Sequence, residues 1–199
     1  MAGATPFQAV RRFILETDGL KGVTRKSRPV GMDRLENVAE HSWQVTLLAL
    51  TLREQAAFQI DIDRVLRMLL VHDIPEVEVG DVNVYDTAAI AAREEGEARA
   101  AERLFGLLPG EQGATLLALW HEMEDGATPE ARYAKAIDRL MPILLNLAQH
   151  GRSWRENGVK LSQVLRLNRI RIAPVFPELW AELEAELNEA GRQGWLSEE

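Results

Sequence analysis

The chain has 199 residues, no cysteine, a hydrophobic fraction of 46% and a formal net charge of -8. That length and apolar content suit one folded domain with a sizeable core, and the lack of cysteine removes disulfides, thiolate metal sites and cysteine nucleophiles. The negative balance argues against a general nucleic-acid binder or a binder of anionic membranes, and with no signal-like leader or long apolar run a soluble, cytoplasmic protein is expected.

Apolar residues recur at helical spacing and β-branched runs bounded by turn signals are scarce, so an all-α fold is expected. The first helix covers Pro6 to Thr17, with Phe7, Val10, Ile14 and Leu15 on one side, and a loop follows to Leu35. A second helix starts near Glu36 or Asn37 and runs past Arg53, its stripe carrying Val38, His41, Val45, Leu48 and Leu52. The third takes Asp63 to about Asp73, with Val65, Leu66, Leu69, Leu70 and Ile74 apolar and Asp61 or Asp63 as N-cap.

Beyond Tyr85 an Ala/Glu/Arg-rich stretch predicts a long, mostly exposed helix that stops before Pro109-Gly110. The stretch "EQGATLLALWHEMED" forms the next helix, ending at Gly126. Thr128-Pro129-Glu130 then supplies an N-cap, a first-turn proline and an acidic residue for a helix in which Pro142 predicts a kink. Helices over about Val159 to Ile172 and Pro177 to Arg192 complete a single domain spanning 1–199, with its core at about 7–173 and a fraying tail "QGWLSEE".

Titratable residues on these apolar stripes draw attention because a buried carboxylate or imidazole without a partner costs several kcal/mol. In "LLVHDIPEVEVGD", His72 and Asp73 are adjacent, Glu76 lies one turn after His72, and Gly80 lets the chain turn before Asp81. His41 sits on the second helix stripe, and Asp138 is surrounded by Ile137, Leu140, Met141 and Leu144. Two histidines and two aspartates from three helices make a divalent-metal set, and imidazole with carboxylate suits Mn²⁺, Fe²⁺, Co²⁺, Ni²⁺ or Zn²⁺. Lys21, Arg25, Lys26, Arg28 and Arg34 form a basic stretch that can attract a phosphate.

The pattern His41, His72-Asp73, Asp138 resembles the HD-domain metal-dependent phosphohydrolase superfamily. Within it, "RLENVAEHSWQV", "HDIPEVEVGD" and "AKAIDRL" resemble the 5'-deoxynucleotidase group (YfbR-like and HDDC2-like) from about residue 7 to 170. The resemblance implies an HD-domain helical bundle that hydrolyses deoxynucleoside 5'-monophosphates, and one divalent ion held by His41, His72, Asp73 and Asp138. It implies catalytic roles for Glu76 and Asp81, or a second ion held by that pair with the backbone at Val82, and a phosphate contact for Arg25. The substrate-contacting set expected on this basis is Arg25, Lys26, Asp81, Val82, Asn83 and Val84, and the expected assembly is a homodimer or larger.

Lys26 stands where several members hold a tryptophan associated with choosing deoxyribose over ribose, which leaves the sugar preference open. His121 and His150 are expected to be surface or capping residues, and Trp43, Trp120, Trp154 and Trp180 to pack in the core or an interface, with Trp43 facing away from His41. The alternatives are a phosphodiesterase, a nucleoside triphosphate hydrolase or a di-iron oxygenase on the same scaffold, and a helical metal-binding or regulatory module without catalysis.

Overall fold

The computed structural model describes residues 5–81 and 87–197, with the side chains of 87–94 outside that description. The chain runs as α1 (Pro6–Thr17), α2 (Val38–Leu52), α3 (Ile62–Val71), α4 (Glu76–Val79), α5 (Thr87–Phe105), α6 (Glu111–Asp125), α7 (Pro129–Ala148), α8 (Arg152–Glu156), α9 (Leu161–Ile172) and α10 (Pro177–Arg192). Among the described residues there is no strand; extended segments meet only in isolated bridges, Thr24 with Asn37 and Lys160 with Ser197. The all-α architecture follows the periodicity of the sequence.

Local signals fix most helix ends. Thr5 and Gln8 form a capping box at α1, and Asn37 and Glu40 form another at α2. Asp61 caps α3 by accepting from the Arg64 amide, Thr128 caps α7 ahead of Pro129, and Gly126 ends α6 in the left-handed region at φ 65°.

Helix α7 is the central element, packing against α2, α3, α6 and α9. Its buried Ala131, Ala134 and Ala136 let neighbouring helices approach, while Ile137, Leu140 and Ile143 fill the space between them. The helix continues through Pro142 to Ala148. Because proline lacks an N–H, the Asp138 carbonyl four residues earlier loses its usual intrahelical donor. One turn on, Asn146 Nδ2 donates to the Pro142 carbonyl at 3.0 Å and its Oδ1 accepts from the Trp154 amide at 3.1 Å, which ties α7 to α8.

Several expectations need correction. Among the described residues of α1 only Phe13 is buried, while Phe7, Ile14 and Leu15 face outward, because this edge helix packs mainly on the turn after it and on α5. Leu70 of α3 is also exposed; Val65, Met68, Leu69 and Val71 form the buried face. The tryptophans need no such correction: Trp120, Trp154 and Trp180 are buried, and Trp43, 66% exposed, faces away from His41 and joins exposed Leu47 and Leu50 in a stripe along α2. The tail does not fray through Ser197: Leu196 is buried, Trp195 packs on the core, and Leu161 N donates to Ser197 O at 3.0 Å. The short α4 and α8 went unpredicted because one helical turn carries no readable period.

Candidate metal centre and its cavity

Three segments converge on the face of α7 that carries Asp138. Helix α2 brings His41 from its first turn, fully buried. Helix α3 stops at Val71, leaving His72 as its C-cap and Asp73 in the turn before α4. That turn is held by Ile74 N donating to Val71 O and Glu76 N donating to Asp73 O at 3.0 Å, while the Trp120 indole donates to the His72 carbonyl at 3.0 Å. Gly80, at φ 77°, then turns the chain into Asp81.

The donor atoms of His41, His72 and Asp73 all lie within 4.8 Å of one another. Asp138 Oδ1 lies 2.9 Å from His41 Nε2 and 3.8 Å from His72 Nε2, and Asp73 Oδ2 lies 3.0 Å from His72 Nε2. Two ligands bonded at about 2.1 Å to one ion are separated by at most about 4.2 Å, and the separations of 2.9, 3.0 and 3.8 Å meet that limit for a shared divalent metal. His72 Nε2 is buried without a hydrogen-bond partner, whereas its Nδ1 is engaged with the Leu69 carbonyl at 2.8 Å. An imidazole fixed in this way presents Nε2 toward a metal.

Electrostatics tighten the cluster. Burial alone would lower the His72 pKa, but the Asp73 and Asp138 carboxylates outweigh it and hold it well above 6.5. Burial would raise both aspartates; instead His72, Arg25 and His41 hold Asp73 down to about 2, and the His41 hydrogen bond, together with the neighbouring His72, holds Asp138 well below 3.8.

The basic stretch resolves into separate tasks. Arg25 points inward, with Nη1 at 3.2 Å from Asp73 and 3.4 Å from Asp81. Burial disfavours its charge, yet the surrounding carboxylates raise its pKa above the ordinary arginine value. Lys26 lines the adjoining cavity. The other three cations are engaged in surface pairs rather than in the site: Lys21 with Asp18, Arg28 with Glu156 and the Asp33 carbonyl, and Arg34 with Glu40. Arg152 holds Asp33 in turn, so the outer loop is tethered to α8.

A cavity of about 350 Å³ is lined by Arg25, His72, Asp73, Glu76, Asp81 and Asp138, and further by Lys26, Lys135, Arg139 and Arg171. Glu76 is buried at the start of α4. His121 and His150 lie at the surface against Trp120 and Trp195 and take no part. The expected contacts at Val82, Asn83 and Val84 lie outside the described residues.

Glu36 belongs to the site and was not foreseen. It is 1% exposed, accepts from Ser27 Oγ at 2.6 Å, and places Oε2 at 3.6 Å from Arg25 Nε and 3.9 Å from His41 Nδ1. In the sequence it reads as the ordinary acidic start of a helix; the extended pairing of 24–27 with 36–37 holds it inward.

A family model for the HD domain matches residues 17–180. The crystal structure of a predicted metal-dependent phosphohydrolase from Magnetospirillum magnetotacticum superposes with a TM-score of 0.89 and 41% identity, covering 96% of this chain and 98% of that one. The 5'-deoxynucleotidase HDDC2 of Xenopus laevis is 28% identical over 149 residues, 72% of this chain and 73% of the relative. That of Dictyostelium discoideum is 28% identical over 163 residues, 78% and 86% respectively. Against the relatives of the same name from Danio rerio, Homo sapiens and Bos taurus, the match spans little more than half of their length.

Proposed function

The chain belongs to the HD-domain family, and from that premise we propose that it is a metal-dependent phosphohydrolase releasing phosphate from (deoxy)nucleoside 5'-monophosphates. The observation that carries this reading is the meeting of His72, two aspartates and an inward arginine on one cavity wall, with the His41 imidazole buried directly behind it. His41, His72, Asp73 and Asp138 are the residues that would hold the ion, with Mn²⁺, Co²⁺, Fe²⁺, Ni²⁺ and Zn²⁺ all compatible with N/O donors. When bound, the ion supplies positive charge against the phosphate and acidifies water.

The remaining work falls to side chains. Arg25, fixed between Asp73 and Asp81, binds a phosphate oxygen through its guanidinium. Glu76 takes the proton of the attacking water or returns one to the leaving 5'-oxygen. The P–O5' bond breaks as the new P–O bond forms, giving nucleoside and inorganic phosphate. Asp81 orients the substrate, or together with Glu76 holds a second ion. Lys26, Lys135, Arg139 and Arg171 give the cavity further cations beyond the centre.

We read the active form as a homodimer, supported by the exposed Trp43, Leu47 and Leu50 stripe on α2 and by Leu70 on the adjoining α3. The decisive assay is phosphate release from deoxy- and ribonucleoside mono-, tri- and cyclic phosphates, using chelated protein and protein reloaded with Mn²⁺ or Co²⁺. Turnover of 5'-monophosphates only after reloading is the expected result. Turnover confined to cyclic or triphosphate substrates would move the protein to another branch of the same chemistry, and no turnover with any ion would make it a binding module.

A further inference from the structure

The two histidines of the centre are supported differently. His72 has its Nδ1 fixed by a backbone carbonyl, that of Leu69. His41 Nδ1 is buried without a hydrogen-bond partner, and the acidic oxygen facing it is Glu36 Oε2 at 3.9 Å. Its other nitrogen, Nε2, faces Asp138 at 2.9 Å and Asp73 at 4.0 Å.

We propose that Glu36 is a positioning residue for this centre: it takes the Nδ1 proton of His41 in a hydrogen bond, leaves Nε2 bare for the ion, and steadies the Nε edge of Arg25. An imidazole can ligate through Nε2 only if that nitrogen carries no proton, so the single proton of the neutral ring must sit on Nδ1 and needs an acceptor. A hydrogen bond to the Glu36 carboxylate requires Nδ1 and Oε2 to close by about 1 Å.

Glu36 is built to serve both partners at once. Arg25 N donates to Glu36 O at 2.9 Å and Glu36 N donates to Ser27 O at 3.0 Å, so its backbone is clamped opposite Arg25. Ser27 Oγ holds Oε2 at 2.6 Å, and the same oxygen lies 3.6 Å from Arg25 Nε, a second buried donor atom without a hydrogen-bond partner. One buried carboxylate oxygen therefore faces both a ligand and the phosphate-binding arginine. The inference rests on reading His41 as a ligand and is independent of which substrate is hydrolysed.

The test is Co²⁺ binding to chelated protein by calorimetry, with long-range ¹H–¹⁵N correlation of the histidine rings in Zn²⁺-loaded protein. Glu36→Gln keeps the volume and the Ser27 contact, and is expected to weaken Co²⁺ binding by about 10- to 100-fold. Glu40→Gln keeps the capping acceptor at the same helix end, removes the charge of the Arg34 ion pair, and should leave Co²⁺ affinity unchanged. Zn²⁺-loaded wild-type protein should show His41 protonated at Nδ1, a result that needs no variant to fold. Unchanged Co²⁺ affinity in Glu36→Gln, or Zn²⁺ ligation through Nδ1, overturns the inference while leaving the phosphohydrolase reading intact. A wild-type protein that binds no Co²⁺ overturns the reading of the centre itself.

Discussion

His41 Nε2 and Asp138 Oδ1 meet at 2.9 Å although 97 positions separate them, which joins the first turn of α2 to the middle of α7. Asp138→Ala removes a candidate ligand and leaves the buried His41 ring unsatisfied. In metal-free protein the cost of that orphaned group is about 1–3 kcal/mol, readable by denaturant unfolding. An unchanged midpoint and slope would mean that the pair contributes nothing to the fold.

Glu76 is proposed as the proton carrier. Glu76→Gln should lower kcat by about 100- to 10,000-fold while Co²⁺ affinity at the His/Asp cluster stays near wild type. If the variant also binds fewer ions per chain, Glu76 holds a second ion rather than a proton.

Arg25 reaches Asp73 and Asp81 with the same Nη1 while Nε faces Glu36. A lysine keeps the charge but not the planar fork, so Arg25→Lys is not conservative here. It should lose about 1.5–3 kcal/mol of transition-state binding, roughly 10- to 100-fold in kcat/KM. Full activity in Arg25→Lys would reduce the guanidinium to a simple counter-charge.

The pH response of chelated protein follows from the pKa directions. His72 is raised above 6.5, so its stabilisation is complete below 6.5 and lost as pH rises through the higher folded value. Asp73 is depressed from 3.8 to about 2, so its contribution is present above 3.8 and lost as pH falls toward 2; Asp138 acts in the same direction. Tm should therefore be highest between these limits and decline on both sides, and His72→Asn should remove the alkaline decline. A Tm that climbs steadily past neutrality would contradict the assignment.

The proposed dimer is tested at its centre. Trp43→Glu puts a charge in the exposed α2 stripe and should yield a monomer in sedimentation velocity, whereas Phe7→Glu on α1 should not. A wild-type protein that is monomeric at micromolar concentration removes the proposal.

Most helices were legible because caps and periodicity agree: α1 runs between Thr5 and Thr17 as its capping box and apolar spacing require, and α6 ends at Gly126 as expected. His41, His72, Asp73 and Asp138 stand out singly, since ionisable residues on apolar stripes need partners, but spacing alone does not show that their helices converge, and the shared site was implied only by the family resemblance. Spacing could not tell which cations of the basic stretch turn inward, because Arg25 and Arg28 differ only in the tertiary partners they find. Glu36 stayed hidden for a related reason. It is held inward by a short extended pairing with Arg25 and Ser27, below the length at which a strand announces itself. The outward face of Leu70 was not legible because an exposed and a buried apolar residue look alike at helical spacing in a single chain.

Helix α2 has a ring nitrogen of the centre on its inner side and an indole, two residues later, on its outer side. Any body seated on Trp43 and Leu47 thus grips the same rigid rod that carries His41. If the docked and undocked rods differ in how well they hold the ion, thermodynamic reciprocity requires that loading the ion change the docking constant by the same factor. Mineral supply would then be sensed as quaternary structure, through a path only one helix thick.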